Sequence, residues 1–172
     1  ISAHTMAADA KMLALQSQMN PHFLYNTLAS ISILAEDGEN EQAVKMCDSL
    51  SVLLRYMSSN SSMDVALWQE LEHLRSYIYL IKVKYGERIQ FHINMDDSLS
   101  PIKVPRLLIQ PLVENCIKYA LNVDPPWVIH ITGYIKDSCW VIQVKDNGSG
   151  FPPDFLDSFH KKVLEIDWKK PL

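Results

Sequence analysis

Pro111-Leu112-Val113-Glu114-Asn115-Cys116-Ile117-Lys118-Tyr119-Ala120 sets Glu114, Asn115 and Lys118 along a helix whose other residues are apolar. Polar side chains that interrupt such a helix need a partner. Asn115 and Lys118 are three residues apart and so neighbours on the helix surface, offering an oxygen suited to Mg²⁺ and an ammonium suited to phosphate. The plain alternative is a capped or solvated edge of an amphipathic helix. Pro105 is placed to start this helix, which the pattern predicts over residues 106–120. Upstream, Ile89, Phe91, Ile93 and Met95 alternate with Gln90, His92 and Asn94, the period of a strand covered on one face. Residues 65–85 before it read as a helix with Leu71, Leu74, Ile78 and Ile81 on one side and Gly86 as its stop. Downstream, residues 127–135 and 139–145 are β-rich runs joined by Lys136-Asp137-Ser138, a hairpin. Residues 151–164, with Pro152 and Pro153 at their start, read as a further helix. Helices beside a mostly antiparallel sheet make an α+β layer sandwich.

The first third has a different character. Residues 5–36 lack glycine and are interrupted only by Pro21, which predicts one helix with a kink, ended by Asp37 and Gly38. At about 100° per residue, Leu13, Leu24, Leu28, Ile31 and Ala35 fall within roughly 60° of one another and form the expected core face. Leu15, Met19, Ala29 and Ile33 lie on the other side, with His22, so the helix is expected to pack on two faces. Residues 41–56 carry Ala43, Met46 or Cys47, Leu50, Leu53 or Leu54 and then Met57, the spacing of a second amphipathic helix. A short connection makes the two helices antiparallel neighbours, and their leftover apolar stripes predict a homodimer built as a four-helix bundle. Ser58-Ser59-Asn60-Ser61-Ser62 reads as a linker, dividing the chain at residues 1–62 and 63–172.

Composition narrows the function. The 172 residues are 48% hydrophobic, enough for a real core, and 16 basic against 20 acidic residues give a net charge of −4. That balance disfavours a nucleic-acid partner. Cys47, Cys116 and Cys139 lie far apart, suggest neither a disulfide framework nor a zinc site, and read as reduced, buried thiols in a cytosolic setting. The longest apolar stretches fall short of the roughly 18 residues of a spanning helix. The start has neither Met nor a signal core, so a piece of a longer protein is expected. His4, His73, His92, His130 and His160 have no metal-site spacing, and Trp68, Tyr77, Tyr79 and Tyr85 read as packing residues.

Two more motifs carry chemistry. Gln18-Met19-Asn20-Pro21-His22-Phe23-Leu24-Tyr25-Asn26 puts an imidazole just after a proline, away from the main apolar stripe. A neutral, exposed imidazole is a competent nucleophile near pH 7, its reference pKa being about 6.5. Asn26, one turn on, could orient one ring nitrogen so that the other attacks. A surface histidine beside a kink is the plain reading. Asp146-Asn147-Gly148-Ser149-Gly150-Phe151 follows a strand: glycine there permits positive φ and close approach of a flat ligand, and the aspartate can accept from an exocyclic amine. A common turn is the alternative.

These three motifs, in this order around a Leu71-x-x-Leu74-Arg75-x-Tyr77 helix, closely resemble sensor histidine kinases of two-component systems, of the LytS/YesM type. The resemblance covers nearly the whole chain. It implies a dimerisation and histidine-phosphotransfer helical hairpin over 1–62, followed over 63–172 by a Bergerat-type ATP-binding sandwich. It also implies that His22 is the phosphoacceptor, that Asn115 in an N box binds Mg²⁺, and that Lys118 and Tyr119 face the nucleotide. Asp146, with Gly148 and Gly150, would recognise adenine. The implied activity is autophosphorylation of His22 from ATP, then transfer to an aspartate of a response regulator. The implied setting is the cytoplasmic part of a sensor anchored in the membrane upstream. Asn26 and Glu114 are candidates for tuning His22 or a metal-bound water; Phe23 stands where many histidine kinases carry an acid, so the general base is unassigned.

The family's ATP lid and second glycine box are expected to be absent, since Gly38, Gly86, Gly133, Gly148 and Gly150 are the five glycines. Two other readings follow from that: a non-catalytic dimeric signalling module with a degenerate ATP site, and an ATPase of the same sandwich in which Glu114 activates water.

Overall fold

The computed structural model describes residues 21–58, 64–150 and 155. The expected helix over 5–20, with its kink, the serine linker at 59–62 and most of the expected 151–164 helix lie outside the described residues. The fold is α+β. Helix α1 (Pro21–Glu36) and helix α2 (Asn40–Ser58) are joined by residues 37–39 and packed on each other. Gly38, at φ 81°, turns the chain there, and Glu39 N–H closes the helix end on Leu34 C=O at 2.8 Å.

The α2 stripe resolves as Ala43, Met46, Leu50 and Leu53, all buried, while Cys47 and Leu54 face outward. On α1 the reading needs correction. Leu24 and Ile31 pack on the core, but they are joined by Phe23, Thr27 and Leu34, whereas Leu28 and Ala35 are exposed. The packed face is therefore rotated from the expected one, towards the side of Phe23. Ile33 and Ala29 are exposed in this single chain, as is Tyr25.

Beyond residue 63, strand β1 (Asp64–Ala66) precedes helix α3 (Leu67–Tyr85), so the helix starts two residues later than its periodicity predicts. Val65 and Ala66 are taken by an antiparallel pairing with strand β3 (Lys103–Pro105). Leu71, Leu74, Ile78 and Ile81 are buried as expected, and Gly86, at φ 59°, ends the helix. Strand β2 (Ile89–Met95), helix α4 (Gln110–Ala120), strand β4 (Trp127–Lys136) and strand β5 (Cys139–Asp146) complete the fold.

The larger sheet has the order β2-β4-β5, with β2 parallel to β4 and β4 antiparallel to β5. It is mixed, not mostly antiparallel, because the chain between β2 and β4 crosses over through α4. The β4–β5 hairpin turns at Asp137 and Ser138, both at positive φ (50° and 63°), the geometry that matches the twist of paired strands. In register, Ile89, Phe91 and Ile93 pair with Trp127, Ile129 and Ile131 on one face, and α4 lays Val113, Ile117 and Ala120 into the same core. Met46, Leu50 and Leu53 of α2 belong to that continuous cluster too. The thiol reading is also corrected: Cys47 and Cys139 are exposed and Cys116 half-buried.

Helix α4 begins at Gln110, not Arg106. Leu107 sits at φ 57°, outside helical space, and the N–H groups of Leu107, Leu108 and Ile109 donate to the carboxylate of Glu70 at 2.7, 3.0 and 3.3 Å. A buried acid on α3 thus holds residues 107–109 as a turn, and Pro111, not Pro105, is the proline of the first helical turn. Glu70 also accepts a short hydrogen bond from the hydroxyl of Tyr56 on α2. The Tyr56 ring stacks on His73 with centroids 4.3 Å apart, and the Arg106 guanidinium lies 4.5 Å from the centroid of the same Tyr56 ring.

His73 is almost fully buried, and burial lowers its pKa from 6.5. Between that lowered value and 6.5 the unfolded chain binds a proton that the folded chain refuses, so stability falls as pH drops through about 6.5. Urea midpoints taken at about pH 7 and about pH 5.5 are expected to separate more in the wild type than in His73→Gln, which has nothing to titrate there.

Candidate active site

Helix α1 presents His22 at its second described residue, with its side chain exposed. Asn26, one turn on, brings its amide nitrogen to 3.2 Å from Nδ1 and 3.3 Å from Nε2 of that ring. The amide can therefore donate to either ring nitrogen and hold the imidazole against the helix.

His22 and Asn26 line a cleft of about 440 Å³ with Glu114, Asn115 and Lys118 of α4. Residues far apart in the chain, at 22–26 and 114–118, thus share one cavity. Its apolar wall includes Phe23 and Tyr77, whose rings lie 5.3 Å apart, and Ile117. Lys84, in the last turn of α3, also lines it and was not singled out from the sequence, because a lysine near a helix C-terminus reads as a dipole partner. Lys118 lies 5.8 Å from the ring centroid of Tyr119, which is half-buried beside the cleft-lining residues of α4.

Asp146, Gly148 and Gly150 do not line this cleft. They form a second cluster on another side of α4. Asp146 ends β5, and one of its carboxylate oxygens accepts from Gly148 N–H at 2.8 Å. Cys116, next to Asn115, hydrogen-bonds to Asp146; burial first, and that bond second, push its thiol up to about 12, so it stays protonated. The two glycines divide the work expected of them. Gly150 supplies positive φ, at 70°, while Gly148 supplies close approach: a Cβ there would meet the backbone of Ala120 at 2.9 Å.

That contact makes a prediction. Since the neighbour is helix backbone rather than a movable side chain, Gly148→Ala must push the turn off α4, at a cost of about 1–3 kcal/mol. A denaturation midpoint lowered more than that of Gly38→Asn, whose open position at φ 81° carries only the backbone cost that asparagine tolerates best, checks it.

Several residues of the site's support were missed by sequence reasoning. Gln110 donates to Glu114 Oε1 at 2.6 Å and accepts a short hydrogen bond at its own oxygen from Nε2 of His73. Asn147 ties the end of the sheet, accepting from Val128 N–H at 2.8 Å and donating to Pro126 C=O at 2.9 Å. Tyr77 and Tyr85 line the cleft besides packing, and Trp68, read as packing, is half exposed.

Known proteins bear on this arrangement. A histidine kinase family model matches residues 10–89, the stretch that contains His22 and Asn26. The chain is 38% identical to the sensor histidine kinase YesM of Bacillus subtilis over 151 residues, 87% of this chain and 26% of that protein. It is 36% identical to the sensor protein LytS of Oceanobacillus iheyensis over 170 residues, 95% of this chain and 27% of that one. It is 34% identical to LytS of Staphylococcus epidermidis over 152 residues, 87% of this chain and 26% of that relative. The chain therefore spans about a quarter of the length of these curated relatives. No described helix is long and apolar enough to cross a membrane. With a histidine and an asparagine-bearing helix brought together inside the matched and related stretches, this chain is similar over most of its length to the sensor histidine kinases YesM and LytS.

Proposed function

We propose that this chain is the catalytic core of a dimeric sensor histidine kinase, in which His22 takes the γ-phosphoryl group of Mg-ATP and yields it to an aspartate of a response regulator. One observation carries the reading: His22 and the polar face of α4 line the same cleft. Residues 1–62 would serve as the dimerisation and phosphotransfer part and 63–172 as the Bergerat-type nucleotide-binding part, on the cytoplasmic side of a membrane-anchored sensor. The exposed Tyr25, Ala29 and Ile33 give α1 an apolar face suited to a second copy.

The residues present fit the nucleotide and its metal. Asn115 offers an oxygen for Mg²⁺, and Lys118 and Lys84 offer ammonium groups for phosphates. Asp146, with Tyr119 nearby on α4, would take the base. Bound Mg-ATP would supply an electrophilic phosphoryl group and part of the charge neutralisation.

The chain's own residues then do the following. Asn26 donates to one nitrogen of the His22 ring and fixes its plane. In the neutral ring the nitrogen that accepts from Asn26 is the one with the lone pair; released from that amide it forms the N–P bond while the bond to the leaving ADP oxygen breaks, and the other nitrogen holds the ring proton. Lys118 and Lys84 would balance charge on the transferring group, and Glu114, which lines the same cleft, would take the ring proton that the phosphorylated imidazole must lose.

The test is incubation with Mg²⁺ and γ-labelled ATP followed by peptide mapping. Label on the peptide containing His22, lost in acid and stable in alkali, is the expected result. Acid-stable label, or label elsewhere, contradicts the reading.

A further inference from the structure

We propose that Gln110 is a positioning residue for Glu114, holding its carboxylate in the cleft shared with His22, and that His73 fixes the orientation of Gln110 that this requires. The inference rests on the kinase reading above. Gln110 is the first residue of α4 and is buried, as are Glu70 and His73 from α3. Its terminal amide has two ends of opposite character, an acceptor oxygen and a donor nitrogen, and only the nitrogen suits a carboxylate.

His73 decides which end Glu114 meets. Its Nε2 bonds the Gln110 oxygen, and because an amide oxygen only accepts, Nε2 carries the hydrogen. Burial keeps the imidazole neutral, so Nδ1 holds a lone pair. That atom is buried and has no hydrogen-bond partner among the described residues, where a bare lone pair is less costly than a stranded N–H. The stacked Tyr56 ring prevents His73 from swinging away. With its oxygen occupied, Gln110 turns its nitrogen to Glu114 Oε1 at 2.6 Å. Glu114 is otherwise an exposed helix residue, free to sample several rotamers. Held from below, it needs less ordering to reach the ring proton of His22.

The experiment is steady autophosphorylation by the full-length protein and three variants: Gln110→Met, of similar length but without the amide, Glu114→Gln, and the two together. Gln110→Met is expected to lower the rate at saturating Mg-ATP about tenfold, with KM changed less than about twofold. Added to Glu114→Gln it should produce no further loss, because Gln110 acts through that carboxylate. Independent, multiplying losses in the double variant, a rise in KM that matches the fall in rate, or an undiminished rate in Gln110→Met would each overturn the role of Gln110 and leave the kinase reading intact. A wild type that forms no acid-labile label overturns both.

Discussion

His22→Ala is expected to bring acid-labile phosphate to background, a loss of about a thousandfold or more, while the folded state changes by no more than about 0.5 kcal/mol. The asymmetry follows from position. The His22 side chain is exposed, and Asn26, whose amide approaches its ring, belongs to the same helix. Deleting it opens no cavity in the core. Substitution at His92 or His130 should leave the label in place: the two rings stack on each other at 4.8 Å on the sheet, outside the cleft. Labelling of His22→Ala beside His92→Ala, with thermal melts of each, checks both halves. A variant that keeps its melt and loses its label is the expected pair of results.

Glu70→Ala should do the reverse, lowering stability by about 3–5 kcal/mol wherever activity is measured. That is a large share of the roughly 5–15 kcal/mol that holds a domain together. Four donors converge on this one carboxylate: the Tyr56 hydroxyl and Leu107 N–H on one oxygen, Leu108 and Ile109 N–H on the other. Alanine leaves all four without an acceptor in a region that water reaches poorly, and each stranded donor costs about 1–3 kcal/mol before relaxation. Glu70→Gln offers little relief. Whichever way its amide turns, an NH₂ group faces two donors. Chemical denaturation should therefore find both variants far below the wild type, with Tyr56→Phe, which removes a single donor, much closer to it.

The parts of the fold that repeat with a period were legible in the sequence. Met46, Leu50 and Leu53, then Leu71, Leu74, Ile78 and Ile81, then Ile89, Phe91 and Ile93 all report a buried face through spacing alone, and the β4–β5 turn is marked by its own residues. Periodicity says that a face is apolar without saying what covers it, which is why α1 packs through Phe23 and Leu34 while Leu28 stays exposed. Alternation is the same for either strand direction, so the parallel β2–β4 pairing was not readable. The candidate site was legible as residue types, His22, Asn26, Glu114, Asn115 and Lys118, and their sharing of one cleft needed coordinates. The joint work of Glu70, His73 and Gln110 was not readable because the bonds that tie α3 to residues 107–110 span 37 to 39 residues, beyond any local pattern. Their one local trace was polarity at positions where α3 should have been greasy.

Tyr56 stands at a mechanical junction. Its hydroxyl grips α3, its ring lies against an imidazole, and a guanidinium from the approach to α4 rests over it, so three attachments meet on a single side chain near the end of α2. Hydrogen bonds tolerate only a few tenths of an ångström before weakening. A piston-like slide or screw rotation of α2 larger than that must either snap the joint or haul the start of α4 along with it, so α2 works on the asparagine-bearing helix as a crankshaft rather than as a tether.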